Sequence, residues 1–220
     1  MVNQQTNAIS VTEATRVLGD RDPVIARLAR ETGPVGFAPE PISNFEALVR
    51  GIVYQQLAGP AARAIYGRLT HLLRNQVTAD QVMSCTEAQL REAGLSRAKS
   101  LSLLDLAQKV EDGTVPIDDQ ALATTTDSEI EKRLVSVRGI GPWTAQTFMM
   151  IHLLRMDILP VGDLGIRKGY GLAWGKPVPT EKELLAIGEP LRPYRSIFSW
   201  YCWRALERGT GANGTPVTGR

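Results

Sequence analysis

Apolar residues recur along this chain at helical spacing, and alternating strand-like runs are scarce. Ser43, with Glu46 three residues on, has capping-box spacing and opens a helix predicted to run through FEALVRGIVYQQLA to Ala58. Gly59-Pro60 breaks it, and AARAIYGRLTHLLR resumes in helical register. Upstream, Asp22-Pro23 reads as a cap followed by proline at the first helical position, opening VIARLARET. Downstream, Thr78 opens ADQVMS, Thr86 opens a helix ended by Gly94, and Ser96 opens one ended by Gly113. Residues 116–126 read as a linker with a short helix. Further helices are predicted after Asp127, Pro142, Asp163, Thr180 and Pro193.

This pattern predicts an all-α fold of two helical lobes with an interlobe cleft for a ligand. One lobe is a bundle over 43–126. The other combines 1–42 with 127–208, and the Gly/Thr-rich stretch 209–220 is predicted to be a disordered tail. A chain of 220 residues can bury the cores such lobes need.

Composition narrows the function classes. No apolar run approaches the roughly 20 residues of a membrane span. The segment MVNQQTNAIS lacks the charged-then-apolar layout of a secretory signal, so a cytoplasmic protein without a membrane partner is expected. Cys85, Cys202, His71 and His152 make no zinc or iron–sulfur spacing. A formal net charge of +2 does not by itself point to nucleic acid, but the distribution is uneven. Arg50, Arg63, Arg68 and Arg74 lie in a stretch without an acid, and residues 136–176 hold five basic side chains against two acidic ones. Such stretches can steer a polyanion, or can simply be solvated faces.

The richest segment runs from Val135 to Lys168. Arg-Gly-Ile-Gly at 138–141 sits between two apolar helical segments, and the glycines allow a tight reversal with positive φ. Ile140 can pin the turn by packing inward, and Pro142 suits the first turn of the next helix. Amides exposed at such a turn can cradle a phosphate oxygen that no Cβ obstructs. This grips the nucleic-acid backbone without reading base identity. Asp163, in Leu-Pro-Val-Gly-Asp, stands where a helix begins. Alone it reads as an N-cap; beside the hairpin it becomes the candidate carboxylate for stabilising a sugar cation or orienting water. Asp157 is the competing acid, expected to order its loop.

Gly-Ile-Gly-Pro-Trp-Thr-Ala at 139–145, Leu-Pro-Val-Gly-Asp at 159–163, Pro-Tyr-Arg-Ser at 193–196 and Gln-Gln-Leu at 55–57 together resemble the helix-hairpin-helix DNA glycosylase superfamily. Within it, the 3-methyladenine DNA glycosylase II branch is the nearest match. The resemblance covers roughly Ser43 to Arg208. It implies a monomer that acts on double-stranded DNA containing alkylated bases, flipping a damaged nucleotide and cutting its N-glycosidic bond in base excision repair. Asp163 matches the family's catalytic aspartate. Gly139, Gly141 and Thr144 match positions whose amides hold a phosphate, and Gln56 and Leu57 match the wedge that fills the gap left by the flipped base. The resemblance requires no cofactor and implies no iron–sulfur cluster. It does imply a structural Na+ or K+ on the carbonyls of Val135, Val137 and Ile140.

One departure is informative. Bifunctional relatives that also nick the strand carry a lysine nucleophile at the position of Trp143. Tryptophan implies a monofunctional enzyme without AP lyase activity. Trp143 and Trp203 match aromatic positions of an alkylation-repair pocket, whose indole faces suit cationic bases such as 3-methyladenine and 7-methylguanine. Where some relatives have a further pocket aromatic, this chain has Thr147, and Tyr54 is the candidate replacement. A compact, all-helical version without the β-rich N-terminal lobe of some larger relatives is expected. Two rival readings share the hairpin: a non-catalytic protein that binds damaged or bent DNA, and a glycosylase for a different lesion.

Overall fold

A computed structural model describes residues 10–37 and 40–209. The described residues are helical, without strands, and none of their helices is long and apolar enough to cross a membrane. They divide into two compact units, one formed by 10–37 with 154–209 and one by 40–153.

The terminal unit opens with α1 (Val11–Arg21) and α2 (Pro23–Thr32). The prediction missed α1, although its signal is present: Ser10 accepts from the Glu13 amide, with an acidic residue at the third helical position. Asp22 ends α1 and caps α2 through the Val24 amide, and also accepts from Trp174 Nε1 at 2.8 Å. The unit continues with α11 (Leu164–Trp174), α12 (Glu181–Gly188), a 310 turn and α13 (Arg195–Gly209). Its core gathers Leu18, Ile25, Ile166, Leu184, Ile197, Phe198 and Tyr201. Close helix crossing fixes α11 against α13. A Cβ on Gly169 would lie 1.9 Å from the Cys202 carbonyl oxygen, so only glycine fits there.

The middle unit holds α3 (Asn44–Tyr54), α4 (Gly59–Leu72), α5 (Ala79–Met83), α6 (Glu87–Glu92) and α7 (Arg97–Glu111). It continues with α8 (Asp119–Thr124), α9 (Asp127–Val135) and α10 (Pro142–Thr147). Three sequence expectations change here. The helix expected to reach Ala58 stops at Tyr54, and Gln56 takes a left-handed φ of 55° in the connection to α4. The helix predicted after Pro142 is regular only to Thr147 and passes into a π-helical turn, Phe148–His152. His152 stacks on Phe148 there and bonds Asn44 Oδ1 at 3.0 Å.

The third change concerns the division of the chain. Residues 127–153, expected with the terminal segments, group with 40–126. Side-chain to backbone bonds from Gln55, just after α3, and from α7 tie the connection between α9 and α10 to this unit, as set out below. The expected tail lies outside the described residues except for Gly209, which ends α13.

Candidate active site

The hairpin joining α9 to α10 is pinned by Val137 and Ile140, both buried, with Ile140 N bonded to the Val137 carbonyl at 3.1 Å. Its two glycines are not equivalent, contrary to the expectation of positive φ at both. Gly139 has φ 78°, and a Cβ there would meet Ser102 Oγ at 2.4 Å. Gly141 is the N-cap of α10 in extended geometry, φ −92° and ψ 172°, and a Cβ there would meet nothing within 4 Å. Folding therefore demands glycine at 139 but not at 141. Arg138, with its amide held by Asp105 Oδ2 at 2.7 Å, is exposed beside the turn.

Val135, Val137 and Ile140, the three residues expected to offer carbonyls to a monovalent cation, line the same hairpin. Val135 ends α9, where terminal carbonyls lack helical partners. The turn's own bonds use the Leu134 and Val137 carbonyls. The Lys109 ammonium donates to the neighbouring Ser136 carbonyl, so part of the hairpin's negative backbone charge is already met by protein.

Tyr54 ends α3, and Gln56 and Leu57 lie in the connection to α4, Gln56 exposed and Leu57 half-buried. Gln55, given no role in the sequence reading, donates from Nε2 to the Gly139 carbonyl at 3.0 Å and to Thr144 Oγ1 at 3.2 Å. Tyr54 packs edge-on against Tyr66, and the Arg50 guanidinium lies over its ring at 5.2 Å. Two of the arginines counted toward a polyanion-steering stretch are thus internally engaged. Arg50 also pairs with Glu40, and Arg68 Nε donates to the Ala93 carbonyl. Trp143 occupies the first turn of α10, half-buried, with its carbonyl accepting from Thr147 Oγ1.

The terminal unit carries Asp163 and Trp203. Asp163 N closes a turn onto the Pro160 carbonyl, and Oδ1 caps α11 by accepting from Ile166 N at 2.8 Å. The same oxygen accepts from Trp203 Nε1 at 3.3 Å. Gly165 makes this pairing possible: a Cβ there would stand 2.9 Å from Asp163 Oδ1 and 3.4 Å from Trp203 Cδ1. The loop leading to Asp163 is anchored by the first turn of α13. Arg195, itself buried, forks onto Asp157, while Ser196 binds the Arg155 carbonyl and the Ile158 amide. Asp157 orders the loop, as expected, and the Pro-Tyr-Arg-Ser motif is the other half of that lock. Behind Asp163, burial and then the negative charges of Asp163 and Asp22 push the Cys202 thiol well above its ordinary pKa, keeping it neutral.

A model of HhH-GPD superfamily base excision DNA repair proteins matches residues 49–193. The DNA-3-methyladenine glycosylase 1 of Schizosaccharomyces pombe is 32% identical over 163 residues, covering 73% of this chain and 71% of that protein. Among solved structures, a DNA-3-methyladenine glycosidase from Bacillus halodurans superposes with a TM-score of 0.81 at 30% identity, over 90% of this chain and 91% of that one. The S. pombe 3-methyladenine DNA glycosylase in complex with abasic DNA gives 0.76 at 29% identity, over 92% and 98%. The hairpin, the capped aspartate and these matches agree: the chain belongs to the HhH-GPD superfamily of base excision DNA repair proteins.

Proposed function

We propose that this protein is a monofunctional DNA glycosylase that flips alkylated purines, 3-methyladenine and 7-methylguanine, out of duplex DNA and releases them. Relatives and structural neighbours named for 3-methyladenine support the substrate class, and a neighbour holding abasic DNA supports the polymer. The observation that carries the catalytic part is the Asp163 carboxylate, fixed by a helix amide and an indole N–H on the same oxygen.

The chemistry needs little more. An alkylated purine is cationic and departs neutral, taking the bonding electrons of the glycosidic bond. The sugar becomes oxocarbenium-like, and a fixed carboxylate stabilises that charge and guides water to the sugar carbon. The helix amide and the indole N–H restrain the carboxylate, so it need not reorganise as charge develops. Trp143 and Trp203 offer indole faces to the cationic base. Tyr54 is the weaker cation platform, because Arg50 already lies over its ring.

At the hairpin, Gly141 leaves open space in which a phosphate can approach the α10 amides. Gln56 and Leu57 enter the duplex as the wedge. A Na+ or K+ held by the Val135, Val137 and Ile140 carbonyls would add positive charge to the phosphate grip. Trp143 has no amine, so no Schiff base forms with the sugar and the product is an abasic site.

A panel of single-lesion duplexes, with free base detected by chromatography, tests the reading. Release of 3-methyladenine and 7-methylguanine by the wild type is expected. Release of only oxidised or deaminated bases would reassign the lesion, and tight binding without release of any base would leave a damage-recognition protein. Borohydride trapping on abasic DNA should give no adduct.

A further inference from the structure

One face of α7 reaches the hairpin and the wedge loop together. Lys99, Ser102, Asp105 and Lys109 recur at three- and four-residue spacing and form a single stripe along the helix. Lys99 Nζ donates to the carbonyls of Val53 and Gln55, both at 2.7 Å. Ser102 lies under Gly139. Asp105 receives the Arg138 amide, and Lys109 bridges Asp105 and the Ser136 carbonyl. Gln55 then completes the link from the wedge side, with its amide nitrogen on the Gly139 carbonyl and Thr144 Oγ1.

The Lys99 contacts explain why α3 can end early. Carbonyls in the last turn of a helix lack backbone donors, and a cation there is doubly favoured by hydrogen bonding and by the helix dipole. Lys99 commits two of its three N–H donors to that end. The stop at Tyr54 frees Gln55, Gln56 and Leu57 to leave the helix, and Gln56 adopts its left-handed φ of 55° within this clamp. Holding a non-glycine residue in that region is strained, and the surrounding bonds must offset the strain. Burial lowers the Lys99 pKa from its ordinary value, the direction expected for an ammonium drawn out of water onto carbonyls.

Resting on the glycosylase reading above, we propose that Gln55 and Lys99 are positioning residues for base extrusion. They register the wedge loop, residues 55–57, against the phosphate-gripping hairpin, residues 138–144. A phosphate seated at the hairpin thereby fixes where the wedge enters the duplex. Ser102, Asp105 and Lys109 brace the hairpin alone; Gln55 is the side chain that spans both segments. Neither Gln55 nor Lys99 needs to touch the reacting atoms for this role.

The test uses the full chain and a thermodynamic cycle. Gln55→Met keeps the length of the side chain and removes its donor. Amide hydrogen exchange on the free protein should quicken at the hairpin by about fivefold, as expected for loss of one or two neutral hydrogen bonds. Single-turnover release of 7-methylguanine should fall about tenfold in Gln55→Met and by clearly less in a Leu57→Ala background, where the apolar half of the wedge is already removed. Losses that multiply in the double variant would overturn the proposal, as would unchanged exchange at the hairpin. Lys99→Arg should retain release close to wild type, and Lys99→Met should lose it with the same dependence on Leu57. If Lys99→Met does not fold, the Gln55 arms decide.

The same cycle, read as affinity for an abasic-analogue duplex, requires no turnover. A wild type that releases no alkylated purine therefore defeats the functional reading. A wild type that does release them, with an additive cycle, defeats only this proposal.

Discussion

Trp203 Nε1 donates to Asp163 Oδ1 at 3.3 Å, on the oxygen that also caps α11. An aromatic residue assigned to a substrate pocket is thus also a hydrogen-bond donor to the proposed catalytic carboxylate. Trp203→Phe keeps a ring and removes the donor. A hydrogen bond to a charged group is worth about 1.5–3 kcal/mol when well made, and this long, half-buried one belongs at or below the lower end. The expected outcome is about a tenfold loss in single-turnover base release, with DNA affinity retained. Trp203→Ala should lose more, through the indole face as well. Equal rates for Trp203→Phe and wild type would reduce the indole to packing.

Asp163→Asn isolates charge from structure. Asparagine caps helices about as well as aspartate, so the α11 start and the melting temperature should persist. Loss of the negative charge should lower base release by about 10²–10⁴-fold, in the range for a positioned acid–base group. Binding to an abasic-analogue duplex checks that the variant still recognises its substrate. Release near the wild-type rate would remove Asp163 from the mechanism.

The two hairpin glycines should separate folding from binding. Gly139→Ala forces a side chain onto a φ of 78° and against Ser102 Oγ, costing about 2 kcal/mol or more. Its melting temperature should drop, and adding Ser102→Gly should recover part of the loss by removing the clash. Gly141→Ala meets an extended backbone and open space, so its stability should match wild type. Its DNA affinity should still fall, because the added methyl stands in the open space proposed for the phosphate. Unchanged affinity in Gly141→Ala would move the phosphate site elsewhere.

The parts of this site legible in the sequence are those whose signal is local. Caps at Ser43, Thr86, Ser96 and Asp163 announce their helices because a short polar side chain before an apolar run has one common structural use. The hairpin glycines and Asp163 are also read from their local pattern, whereas the wedge residues Gln56 and Leu57 rest on motif resemblance, which carries spacing but not contacts. The early end of α3 was not legible: its determinant is Lys99, distant in sequence, which takes the carbonyls of Val53 and Gln55. The grouping of 127–153 with the middle unit has the same origin, since Asp105, Lys109 and Gln55 look like ordinary surface polar residues until folding sets them against a backbone. Arg195 and Asp157 were separately visible, and only the fold shows them as one lock.

The hairpin brace should have a defined acid limit. Burial alone would raise the Asp105 carboxyl, but hydrogen bonds from the Arg138 amide and then from the Lys109 ammonium outweigh it and hold the group below the ordinary carboxylate range. A folded pKa lower than the unfolded value of about 3.9 means that the ionised form contributes stability, fully present above that pH. The contribution is lost as pH falls through the folded value. The stability difference between wild type and Asp105→Asn should therefore stay constant from about pH 8 to 5 and shrink below about pH 4. Denaturant unfolding across that range, paired with hydrogen exchange of the Arg138 amide, measures it. A difference that instead collapses between neutral pH and pH 5 would mean that the charge holding the hairpin belongs to another group.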